Sequence, residues 1–231
     1  GDVNSTIACA LVAKKLQIHV AHLEAGLRSY DERMPEEINR VLTDRISDIL
    51  LTPSLDANKN LIKEGINTDK IHFVGNIMID SLVEHQKKAE LSNIFDKLIM
   101  NPDEHYALVT LHRPSNVDEY DGLKMLLTSL VEIGKHIKII FPMHPRTKKN
   151  IQDFGLSYYV NSSKNLIIIE PLGYFDFLKL EKNTKLILTD SGGVQEESTY
   201  FRVPCLTLRE NTERPITITE GTNQLVDLNV T

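Results

Sequence analysis

The chain of 231 residues is 41% hydrophobic and 25% charged, a globular balance that excludes the disordered and low-complexity classes. Its net charge of −6 is dispersed along the chain, which argues against nucleic acid as a partner and leaves small anionic ligands open. No apolar run approaches the ~20 residues of a membrane span and no signal peptide is visible, so no membrane partner is expected and cytoplasm is the expected location. Cys9 and Cys205 sit far apart in apolar contexts and are expected as two buried thiols.

In chain order, periodicity predicts a helix over 4–16, a strand over 18–23, and a helix over 35–49 with apolar residues at Ile38, Val41, Leu42 and Ile46. A strand at 49–51, a helix at 55–65 closed by Gly65 and a strand at 71–74 follow. A long helical pattern then runs over 77–99, with a break near Ser92. From residue 106 the alternation resumes, with strands at 106–111, 137–142, 166–169, 185–188 and 204–208 and helices between them. Such alternation with short connections means an α/β fold: parallel sheets covered by helices on both faces. The boundary is expected at the long helix after Gly75, giving two sheets, 1–78 and 79–231, with a ligand in the cleft between them.

Glu24, His112, His144, Glu170 and Asp190 each fall just past the carboxyl end of a predicted strand, the edge where open α/β sheets bind ligands. Any one alone suits a solvated loop; five along one chain favour a shared crevice. The stretch KLILTDSGGVQEE, residues 185–197, reads as strand, tight turn and helix. Ser191, Gly192 and Gly193 would leave backbone N–H groups uncovered at a helix N-terminus, a setting that favours phosphate. The plain alternative is an ordinary cap by Asp190 or Ser191.

Further charged groups surround this stretch. In GDVNST, Asp2 or Asn4 could cap a helix, and in HLEAGLRS one loop presents both Glu24 and Arg28. In PEEINR, Glu36 and Arg40 are four apart, a spacing whose commonest fate is a surface ion pair. Read functionally, Asp2, Glu24 and Glu36 supply acid and base to opposite faces of a substrate. His112 with Arg113, and His144 with Arg146, at two successive strand ends suit anion recognition, and Arg209, Glu213 and Arg214 form a further charged loop. In PLGYFDFL, Leu172, Tyr174 and Phe177 read as the start of a helix, with an aromatic able to stack on a base. GxGxxG, Walker A, GxSxG and HExxH are absent, as are Asp-X-Asp pairs and Cys/His clusters, so neither a dinucleotide cofactor nor a metal is expected.

Taken together, GDVNST, HLEAGLRS, PEEINRVLTD, VGNIMID, LHRPSNVD, HPRTKK, PLGYFDF, TDSGGVQEES and LRENTERP resemble the non-hydrolysing UDP-N-acetylglucosamine 2-epimerase family. The resemblance implies two Rossmann-like domains in a glycosyltransferase-B arrangement, the first incomplete, a homodimer, and interconversion of UDP-GlcNAc and UDP-ManNAc through 2-acetamidoglucal. It implies that Asp2, Glu24, Glu36 and His112 are catalytic, with Arg40 in support. Ser191, Gly192 and Gly193 would hold the diphosphate, Glu197 the ribose hydroxyls, the Leu172 backbone and Phe177 the uracil, and Arg214 the phosphate region. Arg113 and His144 match positions that in some bacterial members bind a second, activating UDP-GlcNAc. The family's opening strand, its Gly-Thr-Arg-Pro-Glu loop and its last helices do not occur in these 231 residues, from which little turnover is expected. The rival readings are a glycosyltransferase of the same architecture, a hydrolysing epimerase and a nucleotide-sugar sensor. A modified sugar such as a 2,3-diacetamido uronate also stays open.

Overall fold

The apolar runs become short strands, and those of the larger sheet are covered on both faces. The computed structural model describes residues 1–226 and divides into two units, Gly1–Asp80 with Asn211–Ile216, and Ser81–Glu210 with the residues from Thr217 onward. The segment Asn211–Ile216 thus groups with the first unit, although its place in the sequence put it within 79–231.

Unit 1 carries α1 (Asn4–Lys15), β1 (Ala21–Leu23), α2 (Pro35–Ile46), β2 (Ile49–Thr52), α3 (Leu55–Lys63) and β3 (Ile71–Phe73). The strands form a parallel sheet in the order β1-β2-β3, over a small core of Ala25, Leu50 and Leu61. Helix α2 reverses the expected polarity. Ile38, Val41 and Leu42 are exposed, whereas Glu37, Asn39, Arg40, Thr43 and Asp44 are buried. The polar residues can be inside because each finds a partner from another segment or from its own helix backbone. The Asn39 amide donates to the Asp2 carbonyl and to Asn4 Oδ1, Arg40 reaches Asp2, and Asp44 meets His22 and Arg28. Neither Asp2 nor Asn4 caps α1, whose N-cap is Val3 with no side-chain bond. Cys9 is exposed rather than buried, because Ala10 is the one residue α1 buries; Cys205 is buried as expected.

Gly26 marks the tightest point of the loop after β1. It has φ of +82°, and a Cβ there would stand 2.5 Å from the Ala57 carbonyl oxygen, on backbone that cannot swing aside. Its N–H donates to Asp44 Oδ2 at 3.1 Å. Gly26→Ala is therefore expected to cost about 2–4 kcal/mol through left-handed strain and overpacking. Urea unfolding followed by circular dichroism checks this; an unchanged midpoint would remove the proposed constraint on the loop.

Unit 2 opens on α4 (Ile77–Glu90), which begins in unit 1, and α5 (Ile94–Lys97), so the break near Ser92 is real. There follow β4 (Tyr106–Thr110), α6 (Pro114–Val117), α7 (Tyr120–Ile133), β5 (Lys138–Pro142), α8 (Pro145–Asp153), α9 (Ser157–Asn161) and β6 (Leu166–Ile169). The chain continues through α10 (Tyr174–Asn183), β7 (Leu186–Thr189), α11 (Gly192–Phe201), β8 (Cys205–Thr207), α12 (Ile216–Thr219) and β9 (Asn223–Leu225). All strands are parallel, in the order β6-β5-β4-β7-β8-β9. Successive residues of β4 point to opposite faces. Ala107 and Val109 enter a core with Leu123, Leu127 and Phe141, while Tyr106 and Leu108 enter one with Phe95, Ile140 and Val194. Such double burial explains why these strands read as continuous apolar runs rather than alternating ones. Strand β9, with the sequence NQL, has no apolar run to announce it; Asn223 is held instead by Thr207 and the Gln195 carbonyl.

Candidate functional site

In the six-stranded sheet the chain winds outward from β4 in one direction and from β7 in the other. The crevice outside the carboxyl ends of those two strands is the topological switch point, where ligands bind in open α/β sheets. Two loops meet there. One follows β4 and carries His112 and Arg113; the other follows β7 and carries Asp190 and Ser191 into α11. Asp190 is 0% exposed and binds the two loops together. Its carboxylate accepts the backbone N–H groups of His112 and Arg113, at 2.9 and 2.8 Å, and the Asn116 amide at 3.1 Å, and it pairs with His112 Nδ1 at 2.9 Å. Burial alone would raise its pKa, but the bonds and charge of His112 and the backbone donors outweigh burial and hold it below the usual carboxylate range.

Because Asp190 faces the other loop, it does not cap α11. Ser191 stands at the N-cap, and its side chain makes no capping bond. The helix begins on Gly192 and Gly193, both half-buried, with the first N–H groups unclaimed by a cap side chain. One turn further, Glu197 is buried and accepts the Tyr174 hydroxyl at 3.2 Å. Leu172 and Phe177 are half-buried against the core that holds Phe95 and Val194, so both have a packing role. The His144 ring lies 5.6 Å from that of His112, centroid to centroid. His144 is also the N-cap of α8, its Nδ1 accepting the Arg146 N–H at 3.2 Å. Arg146 itself is held by both carboxylate oxygens of Asp118, at 2.8 and 2.6 Å, and Glu170 by Lys148. That accounts for two of the charged strand-end groups without a ligand.

Unit 1 gathers the acidic residues. Glu24 follows β1 with φ of +71°, a left-handed conformation uncommon outside glycine and the kind of strain that collects at functional sites. Its Oε1 accepts Arg214 Nη2 at 2.9 Å, and Arg214 is also bonded to Glu213. Asp2 Oδ2 accepts Arg40 Nη2 at 2.6 Å. Arg40 approaches Glu37 rather than Glu36, at 3.4 Å, so the expected i,i+4 pair does not form and Glu36 is left half-buried beside them. Arg28, expected to be presented on the same loop as Glu24, turns inward. It is buried and paired with Asp44 at 2.7 Å and with Glu64 at 2.7 and 2.8 Å. Burial opposes its charge, but the Glu64 and Asp44 carboxylates prevail and hold the guanidinium above its ordinary pKa.

The family model described as UDP-N-acetylglucosamine 2-epimerase matches residues 1–231. The chain belongs to this family. It is 51% identical to a UDP-N-acetylglucosamine 2-epimerase of Methanocaldococcus jannaschii, over 98% of this chain and 63% of that protein. It is 42% identical to a UDP-2,3-diacetamido-2,3-dideoxy-D-glucuronate 2-epimerase of Pseudomonas aeruginosa, over 98% of this chain and 62% of that protein. The solved structure of the M. jannaschii enzyme in complex with UDP-GlcNAc and UDP matches 99% of this chain and 64% of its own, with a TM-score of 0.91 and 51% identity. The chain thus spans less than two thirds of the length of these curated relatives.

Beyond the residues that motifs pointed to, the epimerase fold brings in Asp44, His22 and Glu37, which hold the Glu24 loop from beneath. His22 Nδ1 lies 2.6 Å from Asp44 Oδ1, and Glu37 accepts the N–H groups of Ser29 and Tyr30 and the Ser29 hydroxyl. For Glu37 and Asp44 the sequence signal is a set of polar residues on the α2 face away from Ile38, Val41 and Leu42; His22, on β1, has none. No group of three or more His, Cys, Asp or Glu side chains able to hold a metal occurs among the described residues. No helix among them is long and apolar enough to cross a membrane.

Proposed function

We propose that the whole protein interconverts UDP-N-acetylglucosamine and UDP-N-acetylmannosamine. The observation that carries this reading is the α11 N-terminus at the switch point: no side chain caps it, and Asp190 and His112 frame it. Ser191, Gly192 and Gly193 would receive the diphosphate there, where backbone donors and the helix dipole favour an anion without a metal. Glu197 would accept the ribose hydroxyls, and Leu172 and Phe177 would border the uracil. Arg113 and His144 are proposed for a second, activating UDP-GlcNAc, and a homodimer for the complete protein.

The C2 proton of the sugar is not acidified by a carbonyl, so abstracting it directly meets a very high barrier. Breaking the anomeric C–O bond with departure of UDP, which takes the electron pair, builds positive charge beside C2 and makes that proton removable. The resulting 2-acetamidoglucal then takes UDP back at C1 and a proton on the other face of C2. Asp2, Glu24 and Glu36 are the proposed acid and base set, with His112 beside the diphosphate and Arg40 fixing Asp2. Arg214, proposed for the phosphate region, donates to Glu24. Holding the departing diphosphate is the larger contribution, since one such donor is commonly worth ~10²–10³ in rate.

A proton NMR time course of the complete protein with UDP-GlcNAc alone in D₂O tests this. Both UDP-sugars are expected at equilibrium, each with deuterium at C2. Free ManNAc with UDP would mean a hydrolysing enzyme, and no change without an added acceptor would favour a transferase.

A further inference from the structure

Glu181 of α10 is 0% exposed, and neither of its carboxyl oxygens receives a hydrogen bond from a donor. Helix α10 packs on α11, and Tyr174, two turns before Glu181 on the same face of α10, donates to Glu197, so the Glu181 carboxyl lies beside that of Glu197. Two ionised carboxylates in a buried contact repel each other, and the contact becomes a bond only when one oxygen carries a proton. Glu197 retains slight exposure and already accepts the Tyr174 hydroxyl, whereas Glu181 has no such donor, so the proton belongs on Glu181.

We propose that Glu181 is a positioning residue that keeps its proton and donates it to Glu197, holding that carboxylate ionised and oriented as an acceptor for a vicinal diol. This rests on the reading of Glu197 as the ribose acceptor. The electrostatic surroundings agree. Burial pushes the Glu181 carboxyl well above its ordinary pKa, and the adjacent Glu197 pushes it further. Burial also raises Glu197 and the charge of Glu196 adds to this, while the bonds from Tyr174 and Glu181 offset part of the rise, leaving it above its ordinary value. The titratable groups facing the pair are thus Tyr174 on α10, Glu196 on α11 and Cys205 on β8. Removing the Glu181 donor would leave Glu197 buried without that relief. Its pKa would rise, and a neutral Glu197 is a poorer acceptor for the diol.

The test measures affinity of the complete protein for UDP and 2′-deoxy-UDP by calorimetry across the neutral range. The wild type and Glu181→Gln, whose amide still donates, are expected to prefer UDP by about tenfold, the worth of one hydrogen bond to a charged group. Glu181→Leu, which fills the space without a donor, is expected to lose that preference at neutral pH and regain it as pH rises. Wild-type discrimination and pH profile in Glu181→Leu would overturn the proposal. The infrared spectrum separates the proton from the ligand. A protonated-carboxyl band is expected in the nucleotide-free wild type and absent in Glu181→Gln, whether or not the leucine variant folds. A wild type without that band overturns the shared proton itself. A wild type with the band but no preference for UDP overturns the reading of Glu197, and the positioning role with it.

Discussion

In the complete protein, Glu24→Gln is expected to leave UDP binding intact and to lower solvent deuterium exchange at C2 by ~10²–10⁴-fold, the usual worth of a positioned general acid or base. The substitution isolates chemistry from structure. Glutamine keeps the size of the side chain and an oxygen able to accept Arg214 Nη2, which now bonds Glu24 Oε1 at 2.9 Å. Arg214 also keeps Glu213 as a partner, so losing the Glu24 charge does not strand a buried guanidinium. The left-handed backbone at Glu24 is set by the loop, which Asp44 holds through the Gly26 N–H and which Glu37 holds at Ser29 and Tyr30. What glutamine cannot do is take up a proton. The two readouts are the C2 resonance in D₂O and a calorimetric titration with UDP. Exchange at the wild-type rate would remove Glu24 from the acid and base set, and loss of UDP binding would show that its role is not confined to the sugar.

Much of unit 2 was legible because its chemistry is local. Strands such as β4 and β7 are buried on both faces and must be apolar throughout, so runs like YALV and LIL declare themselves, and the residues just past them are placed by the same token. The run TDSGG had to be a turn into a helix, and it is. What could not be read were choices made by partners far away in the chain. Asp190 and Ser191 were equal candidates for the α11 cap, and only the β4 loop, some 78 residues earlier, shows that Asp190 serves His112 and Arg113 instead. Helix α2 was recognised as a helix by its period, but its buried side was not, since Asn39, Arg40 and Asp44 are paid for by Asp2, Asn4, His22 and Arg28. Arg28 shares a loop with Glu24, and its inward turn depends on Glu64, 36 positions on. The contact of Glu181 with Glu197 joins two helices and has no sequence signal at all.

Asp190→Asn is expected to be the most damaging conservative change in unit 2. The carboxylate is acceptor-only and every group facing it is a donor: two backbone N–H groups, the Asn116 amide and His112 Nδ1. An asparagine must turn its own NH₂ toward one of those donors, leaving a buried polar group unpaired and His112 without its anionic partner. A loss of about 1–3 kcal/mol in stability is expected, the usual cost of leaving a buried polar group unpaired. In whatever fraction stays folded, turnover is expected to fall by ~10³-fold or more, because the carboxylate fixes which nitrogen of His112 carries the proton and so what Nε2 presents to a ligand. The pH dependence tells this account from simple misfit. Asp190 has its folded pKa depressed, so its contribution is fully present above the ordinary carboxylate value and is lost as pH falls through the lower folded one. The stability gap between wild type and Asp190→Asn, measured by urea unfolding, should therefore be constant near neutrality and close progressively below pH ~4, where the wild type also carries a neutral side chain. A gap that stays the same width at acid pH would mean that shape, not charge, makes Asp190 necessary.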